Sequence, residues 1–298
     1  MAEVVVVGSA NVDLVLPVQR IPRPGETVLA SGLTRGPGGK GANQAVAAAR
    51  AGASTAFVAS LGDDDGGALL RAALDESGVD LSLVSSSAKP TGTAIITVDA
   101  EGENSITVAP SANAELKLSA EALQAVSEAK IVLSQLEIPF DTVQAAAEAS
   151  SYFILNAAPA AELSDELLGH VDLLVVNETE AEAVGGPEMA SLLRRVPAAV
   201  VTLGADGAVI LSRDAAEIRI PGVSVEVVDT TAAGDTFCGV LAASLAASST
   251  TSPVTGGDLT NAVRRANVAA SLSVQTAGAI PSVPHGDVID ARLAEVYL

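Results

Sequence analysis

Leu173-Leu174-Val175-Val176-Asn177-Glu178-Thr179-Glu180 sets the reading of the fold: four apolar residues end on an amide and pass directly into a helix opening. An apolar run without alternation suits a strand covered on both faces, as in a parallel sheet. The unit recurs on both sides. Val4–Gly8, Thr55–Ala59, Ile131–Leu133, Tyr152–Leu155 and Ala199–Leu203 are short Val-, Ile- and Leu-rich runs separated by Ala-rich helical stretches. This alternation predicts an α/β fold, a doubly wound, mainly parallel sheet flanked by helices, as one domain over 1–298. Asn11, Glu137, Asn156 and Asn177 follow or end four of these runs. Ligands of open α/β sheets bind beyond the carboxyl ends of the strands, so these residues are expected around one crevice.

Residues 12–36 and 91–109 break the pattern. They hold alternating or β-branched stretches (Val12–Val18, Thr27–Leu29, Thr93–Val98, Asn104–Val108) punctuated by Pro and Gly. These predict a small antiparallel sheet projecting from the main one, suited to act as a lid and, through its exposed face, as a homodimer contact. Ser248–Gly257, rich in Ser and Thr, reads as a surface loop.

Sixteen Lys and Arg against 36 Asp and Glu give a net charge of −20, the wrong sign for binding nucleic acid or an anionic membrane. Aromatic residues are 2% of the chain, so the core must be built from Ala, Val, Leu and Ile. One cysteine, Cys238, and two histidines, His170 and His285, leave little material for disulfides, zinc sites or Ser-His-Asp chemistry. No apolar run approaches the roughly 20 residues of a membrane span, and no basic leader precedes the first strand, so the cytoplasm is expected.

Three stretches carry chemistry. In Gly36-Pro37-Gly38-Gly39-Lys40-Gly41-Ala42-Asn43-Gln44-Ala45, glycines expose a helix start and place Lys40 and Asn43 on one helical face, a grip for a hydroxyl-rich ligand. Gly-Gly-Lys by itself reads more readily as a plain helix-starting loop; the run lacks the P-loop spacing, and no strand is expected before it. In Val227-Val228-Asp229-Thr230-Thr231-Ala232-Ala233-Gly234-Asp235-Thr236-Phe237-Cys238, a β-run expected to end at Val228 gives way to small residues. The amides of Ala232, Ala233, Gly234 and Asp235 are then open to an anion at a helix N-terminus, where Asp235 is placed to accept a proton or simply to cap the helix. Asn177-x-x-Glu180 can order a hydrated Mg²⁺–phosphate unit, or be only a capping box. Thr202-Leu203-Gly204-Ala205-Asp206-Gly207 is a turn able to flank a nucleotide.

With these pieces in place, the whole chain resembles the ribokinase branch of the PfkB carbohydrate kinase family. The resemblance runs from Gly8-Ser9-Ala10-Asn11-Val12-Asp13 through the Gly38–Ala45 and Asp229–Phe237 signatures to Gly278-Ala279-Ile280-Pro281-Ser282-Val283-Pro284. It implies ATP-dependent phosphorylation of the 5-hydroxyl of D-ribose, with Asp235 as base and residues 232–235 as anion hole. It implies that Asn11, Asp13, Gly39, Lys40, Asn43 and Glu137 hold the sugar. Asn177, Glu180, Thr202, Leu203, Gly204, Ala205, Asp206, Gly207, Gly234 and Asn267 would form the ATP and Mg²⁺ side. A monovalent cation, K⁺, would lie at Asp229, Thr231, Ser273, Thr276, Gly278 and Ser282, mostly on backbone carbonyls. The chain departs from the family in a short Gly185–Ala198 stretch and in lacking basic residues at Val274–Gly278. Fructokinase, nucleoside kinase and a catalytically silent sugar sensor are the competing readings.

Overall fold

The computed structural model describes residues 2–248 and 257–297. Its strands, in chain order, are β1 (Val4–Val7), β2 (Asn11–Pro17), β3 (Thr34–Gly38), β4 (Thr55–Gly62), β5 (Val84–Ser87), β6 (Gly92–Val98), β7 (Asn104–Ala109), β8 (Ile131–Ser134), β9 (Phe153–Asn156), β10 (Leu173–Asn177), β11 (Ala198–Thr202), β12 (Ala208–Ser212) and β13 (Ala215–Ile220). The main sheet runs β13-β12-β11-β10-β9-β8-β1-β4-β5, and the six apolar runs of the sequence are its parallel centre. β12 and β13 add antiparallel strands at one edge, and the Ser-rich β5 adds a parallel one at the other.

The unbroken apolar runs follow from burial on two faces. Val4 and Val6 pack with Phe57 and Leu133 beneath Val46 of helix Lys40–Arg50 and Leu241 of helix Ala233–Ala247. Val5 and Val7 enter the opposite layer, with Val126 of helix Ala120–Glu128 and Val143 of helix Phe140–Ala149. Each such valine contributes roughly 1.5–3 kcal/mol of burial, which leaves no room for a polar residue until the strand ends. The two helices on the first layer approach closely at Gly239, where a Cβ would collide with the Gln44 carbonyl and the Ala47 side chain. That approach brings the start of one helix to the start of the other.

The small sheet runs β3-β2-β6-β7. It is mixed rather than antiparallel: β2 and β6 leave the same end of the main sheet and pair in parallel, while β2–β3 and β6–β7 are antiparallel. Thr27–Leu29 forms no strand; Leu29 is 90% exposed. The third strand is instead Thr34–Gly38, so the Gly-rich run does follow a strand, though one at the edge of the small sheet. Val227–Val228 is likewise no strand: it is an exposed loop segment that bends at Val228, tied by the Val228 and Asp229 N–H groups to the Val274 carbonyl. The 3₁₀ turn Met189–Arg194 fills the short Gly185–Ala198 stretch. Most of the expected Ser248–Gly257 loop lies outside the described residues. Among the described residues, no helix is long and apolar enough to cross a membrane.

Candidate active site

The crevice is assembled where the parallel strands end. Gly39 enters helix Lys40–Arg50 at φ +90°, and a side chain there would press on the backbone of Ala10 and Asn11. The helix start therefore lies against the β1–β2 turn. It has no side-chain cap of its own; Lys40 N–H donates to Glu137 Oε2 at 3.2 Å and Gly41 N–H to Ser9 Oγ at 3.4 Å. Ser9 Oγ donates in turn to Glu137 Oε2 at 2.5 Å. Asn113 Nδ2 donates to Asn11 Oδ1 at 2.8 Å, and Asn113 also holds both the N–H and the carbonyl of Ala10.

Asp13, on β2, packs so tightly against Gly38 that a Cβ there would overlap its carboxyl group. Burial pushes the Asp13 carboxyl up to about 7, helped by the nearby charges of Glu137 and Asp235. Burial disfavours the Lys40 ammonium, yet the carboxylates of Asp235, Glu137 and Glu180 outweigh it and hold that group above its ordinary range. Lys40 is thus a fixed positive charge among acids.

Asp235 is buried in the first turn of helix Ala233–Ala247. Asn43 Nδ2 donates to its Oδ2 and Gln44 Nε2 to its Oδ1, both at 2.9 Å. Asn43 Oδ1 is buried without a donor among the described residues, an acceptor suited to a ligand hydroxyl. Ala232 precedes the helix at φ +59°, unusual for a residue with a side chain. Ala233 N–H reaches the Thr230 carbonyl at 3.3 Å and Thr236 N–H the Ala232 carbonyl at 2.8 Å, but the N–H groups of Gly234 and Asp235 have no acceptor among the described residues. Two amides at a positive helix end make an anion site.

Two chambers meet there. One, of about 160 Å³, is bounded by Lys40, Asn156, Asn177, Glu180, Gly234 and Asp235. The other, of about 440 Å³, is bounded by Thr202, Gly204, Gly207, Val225, Phe237 and Asn267, with Asn267 Nδ2 fixed on the Pro221 carbonyl at 2.8 Å. Thr202, Thr230, Ala233 and Gly234 line both.

The profile of the pfkB family of carbohydrate kinases matches residues 1–286. A ribokinase of Bacillus subtilis is 39% identical over 304 residues, spanning 99% of this chain and all of the relative. One of Haemophilus influenzae is 39% identical over 297 residues, 94% of each chain. The solved structure of Arabidopsis thaliana ribokinase complexed with ribose and ATP superposes with a TM-score of 0.88 at 34% identity, covering 98% of both chains. The chain belongs to the pfkB family of carbohydrate kinases.

Within this kinase, Asn11, Asp13, Gly39, Lys40, Asn43, Glu137 and Asp235 are gathered at one end of the crevice. Asn177 and Glu180 form a reciprocal capping box: Glu180 N–H donates to Asn177 Oδ1 at 2.8 Å, and Asn177 N–H to Glu180 Oε2 at 2.9 Å. Burial raises the Glu180 carboxyl while its backbone bond opposes the shift, and Oε1 stays outside the cap. That fits a carboxylate able to receive a water of a hydrated Mg²⁺. Leu203 and Asp206 do not line the larger chamber: Leu203 packs on the opposite core layer and Asp206 is exposed, because positions three apart share a face of the 3₁₀ turn Gly204–Asp206 and this pair faces away.

Asp229 Oδ1 accepts the Thr231 N–H at 2.9 Å and Oδ2 the Gly278 N–H at 2.8 Å, so this side chain joins the two loops of the expected cation site. Burial opposes ionisation of Asp229, but those N–H bonds hold its carboxyl below the ordinary range. Ser273 and Ser282 spend their hydroxyls on the carbonyls of Ala270 and Ala279, leaving backbone oxygens as the donor set there, with Thr276 in the turn between. Burial pushes the Cys238 thiol well up, consistent with its expected role as a small buried hydrophobe. Ser9, Gln44, Asn113 and Gln135 belong to the site without having been singled out by sequence.

Proposed function

We propose that this protein is an ATP-dependent D-ribose kinase that transfers the γ-phosphoryl group to the sugar 5-hydroxyl. The observation that carries this reading is the pair of open amides at Gly234 and Asp235, beside a carboxylate gripped by Asn43 and Gln44 and between a small polar chamber and a larger one. Asn11, Asp13, Lys40, Asn43 and Glu137 bind the sugar hydroxyls. Asp235 takes the 5-hydroxyl proton as the sugar oxygen bonds to the γ-phosphorus and the bond to the departing ADP oxygen breaks. The open amides of Gly234 and Asp235 receive the charge spread over the transferring group, rather than all those of residues 232–235, since the Ala233 N–H is taken by the Thr230 carbonyl, and positioning supplies most of the rate.

Thr202, Gly204, Ala205, Gly207 and Asn267 take the nucleotide, and Asn177 with Glu180 positions Mg²⁺-bound water. Mg²⁺ held there would supply charge neutralisation to the phosphates. Backbone oxygens around Asp229, Thr231, Ser273, Thr276, Gly278 and Ser282 would hold K⁺, which would offset charge near the anion hole. The small sheet closes over the sugar as a lid. Its register puts Val15, Ala94, Ile96, Ile106 and Val108 on the face that carries Asp13, and Ile106 and Val108 are exposed, which suits a homodimer formed lid to lid. With the lone thiol buried and no disulfide to maintain, the cytoplasm is the compartment proposed.

A nucleoside as acceptor needs an aromatic shelf. Of the six aromatic residues, Phe237 alone lines either chamber, and it lines the larger one. Sugar-dependent ADP release with ribose, fructose, 2-deoxyribose and adenosine, with and without K⁺, tests the assignment. Ribose is expected to give the highest kcat/KM; no ADP release with any acceptor would leave only a sugar-binding sensor.

A further inference from the structure

Behind Asp235 lies a chain of buried amides that the transfer chemistry above does not use. Gln44 and Gln135 are fully buried and Asn156 nearly so. Gln44 Nε2 donates both to Asp235 Oδ1 at 2.9 Å and to Asn156 Oδ1 at 3.0 Å, while Gln44 Oε1 accepts from Gln135 Nε2 at 2.6 Å. An ionised carboxylate can only accept, so the end of Gln44 that faces Asp235 must be its NH₂ group. Its oxygen then faces Gln135, which must also present NH₂. The remaining Gln135 Oε1 is buried with no donor among the described residues, at the place a side chain on Gly8 would occupy. Turning the Gln135 amide over would set oxygen against oxygen at Gln44. The unsatisfied atom therefore falls at the end of the chain farthest from Asp235, and the two bonds nearest the carboxylate are kept.

We propose that Gln44, oriented by Gln135, is a positioning residue that aims the Asp235 carboxylate at the sugar hydroxyl and holds it in its proton-accepting form. This rests on Asp235 being the base. Hydrogen bonds donated to a carboxylate favour its ionised state. Asn43 supplies one such bond to Oδ2 and Gln44 the other to Oδ1. The charged and titratable groups that act on or beside Asp235 are Asp13 on β2, Lys40 at the neighbouring helix start, Glu137 after β8, Glu180 after β10, and Cys238 one turn along its own helix. All are unchanged in variants at 44 and 135.

The test uses the full chain carrying Gln44→Met, Gln135→Met or both, with kcat followed against pH at saturating ribose and ATP, ribose affinity by calorimetry and Tm by melting. Gln44→Met should move the acid limb of the kcat profile upward by about one pH unit, the worth of one lost hydrogen bond to a charged group. Ribose Kd should stay within about threefold, since the sugar grip is intact. Gln135→Met, one residue further from the site and the safer variant for folding, should move the limb the same way by less. In the Gln44→Met background it should move the limb no further, because Gln135 acts only through Gln44. An unmoved acid limb with a lowered Tm in both single variants would reduce the pair to core filling, as would an equal Gln135→Met shift in both backgrounds. Asp235→Asn in the same assay separates the layers: near-normal turnover overturns the base itself, whereas lost turnover with unmoved limbs overturns only the positioning role.

Discussion

Helices Lys40–Arg50 and Ala233–Ala247 begin side by side, and neither has a side-chain cap, whereas Asp64, Ser119 and Ser164 cap Asp65–Glu76, Ala120–Glu128 and Asp165–Leu168. Phe140–Ala149 also starts bare, after Pro139, but there Phe140 is 46% exposed and water reaches the end. The two bare starts in the crevice are handled differently. At the first, resident groups take the amides, Glu137 at Lys40 and Ser9 at Gly41. At the second, Gly234 and Asp235 keep theirs open. Each start carries roughly half a unit of positive charge, so the first is neutralised within the protein and the second is left for a charge that arrives with the substrate. In the proposed reaction, the sugar end is complete before binding and the transfer end is completed by the phosphoryl group, which favours stabilisation that grows toward the transition state.

The sharpest way to break this contrast is to alter each end by itself. Asp235→Asn keeps the shape of the transfer end and removes its base, so kcat should fall by about 10³-fold with ribose binding largely retained. Steady-state ADP release with calorimetric ribose binding checks it, and turnover close to normal would remove Asp235 from the chemistry. Glu137→Ala acts on the other end: it strips the partner from Lys40 N–H and from Ser9 Oγ, and should raise the ribose KM by roughly 10- to 100-fold, with a much smaller change in kcat. A Glu137→Ala variant that lost kcat as severely as Asp235→Asn, at unchanged KM, would erase the distinction between the ends.

The sequence carried the parallel centre of the main sheet openly, because a strand buried on both faces admits few polar residues, mostly near its ends as Thr55, Ser134 and Asn156 are, and so leaves a plain apolar run. It was silent where burial is slight. Val84-Ser85-Ser86-Ser87 and Ala215–Ile220 form edge strands with exposed residues, and Thr34–Gly38 pairs with β2 despite two glycines and a proline. Val227–Val228 misled in the opposite direction: both are β-branched and exposed, Val227 lines the larger chamber, and neither lies in a strand. In the site, the Gly-rich and Gly-Asp stretches were legible because bare backbone before a helix has few structural uses. Gln44, Gln135 and Asn113 were not, since a buried amide matters through its partner, and those partners lie 191, 91 and 102 residues away, at Asp235, Gln44 and Asn11. A polar residue directly after the run Ile131-Val132-Leu133-Ser134 was the one available signal for Gln135.

The complete end also has a cost that can be measured without substrate. Asp13 sits near the charges of Glu137 and Asp235 in a buried position, and its carboxyl titrates at about 7 against an ordinary 3.8. Between those two values the folded protein holds a proton that the unfolded chain has released. The folded state therefore binds more protons, and stability must fall as pH rises through this window and be regained as pH is lowered. Between pH 8 and pH 6 the gain should be about 1 kcal/mol, or one to three degrees in Tm for a chain of this size. Glu180, raised by burial, adds in the same direction, whereas Asp64 and Asp229, held below their ordinary range, finish titrating at lower pH. Asp13→Asn should thus flatten most of the slope between pH 6 and 8 and raise Tm at pH 8. A variant that kept the parental slope would mean that the acids around Lys40 do not repel one another in the free protein, and the sugar end would then lack the charge crowding that sets it apart from the open amides of Gly234 and Asp235.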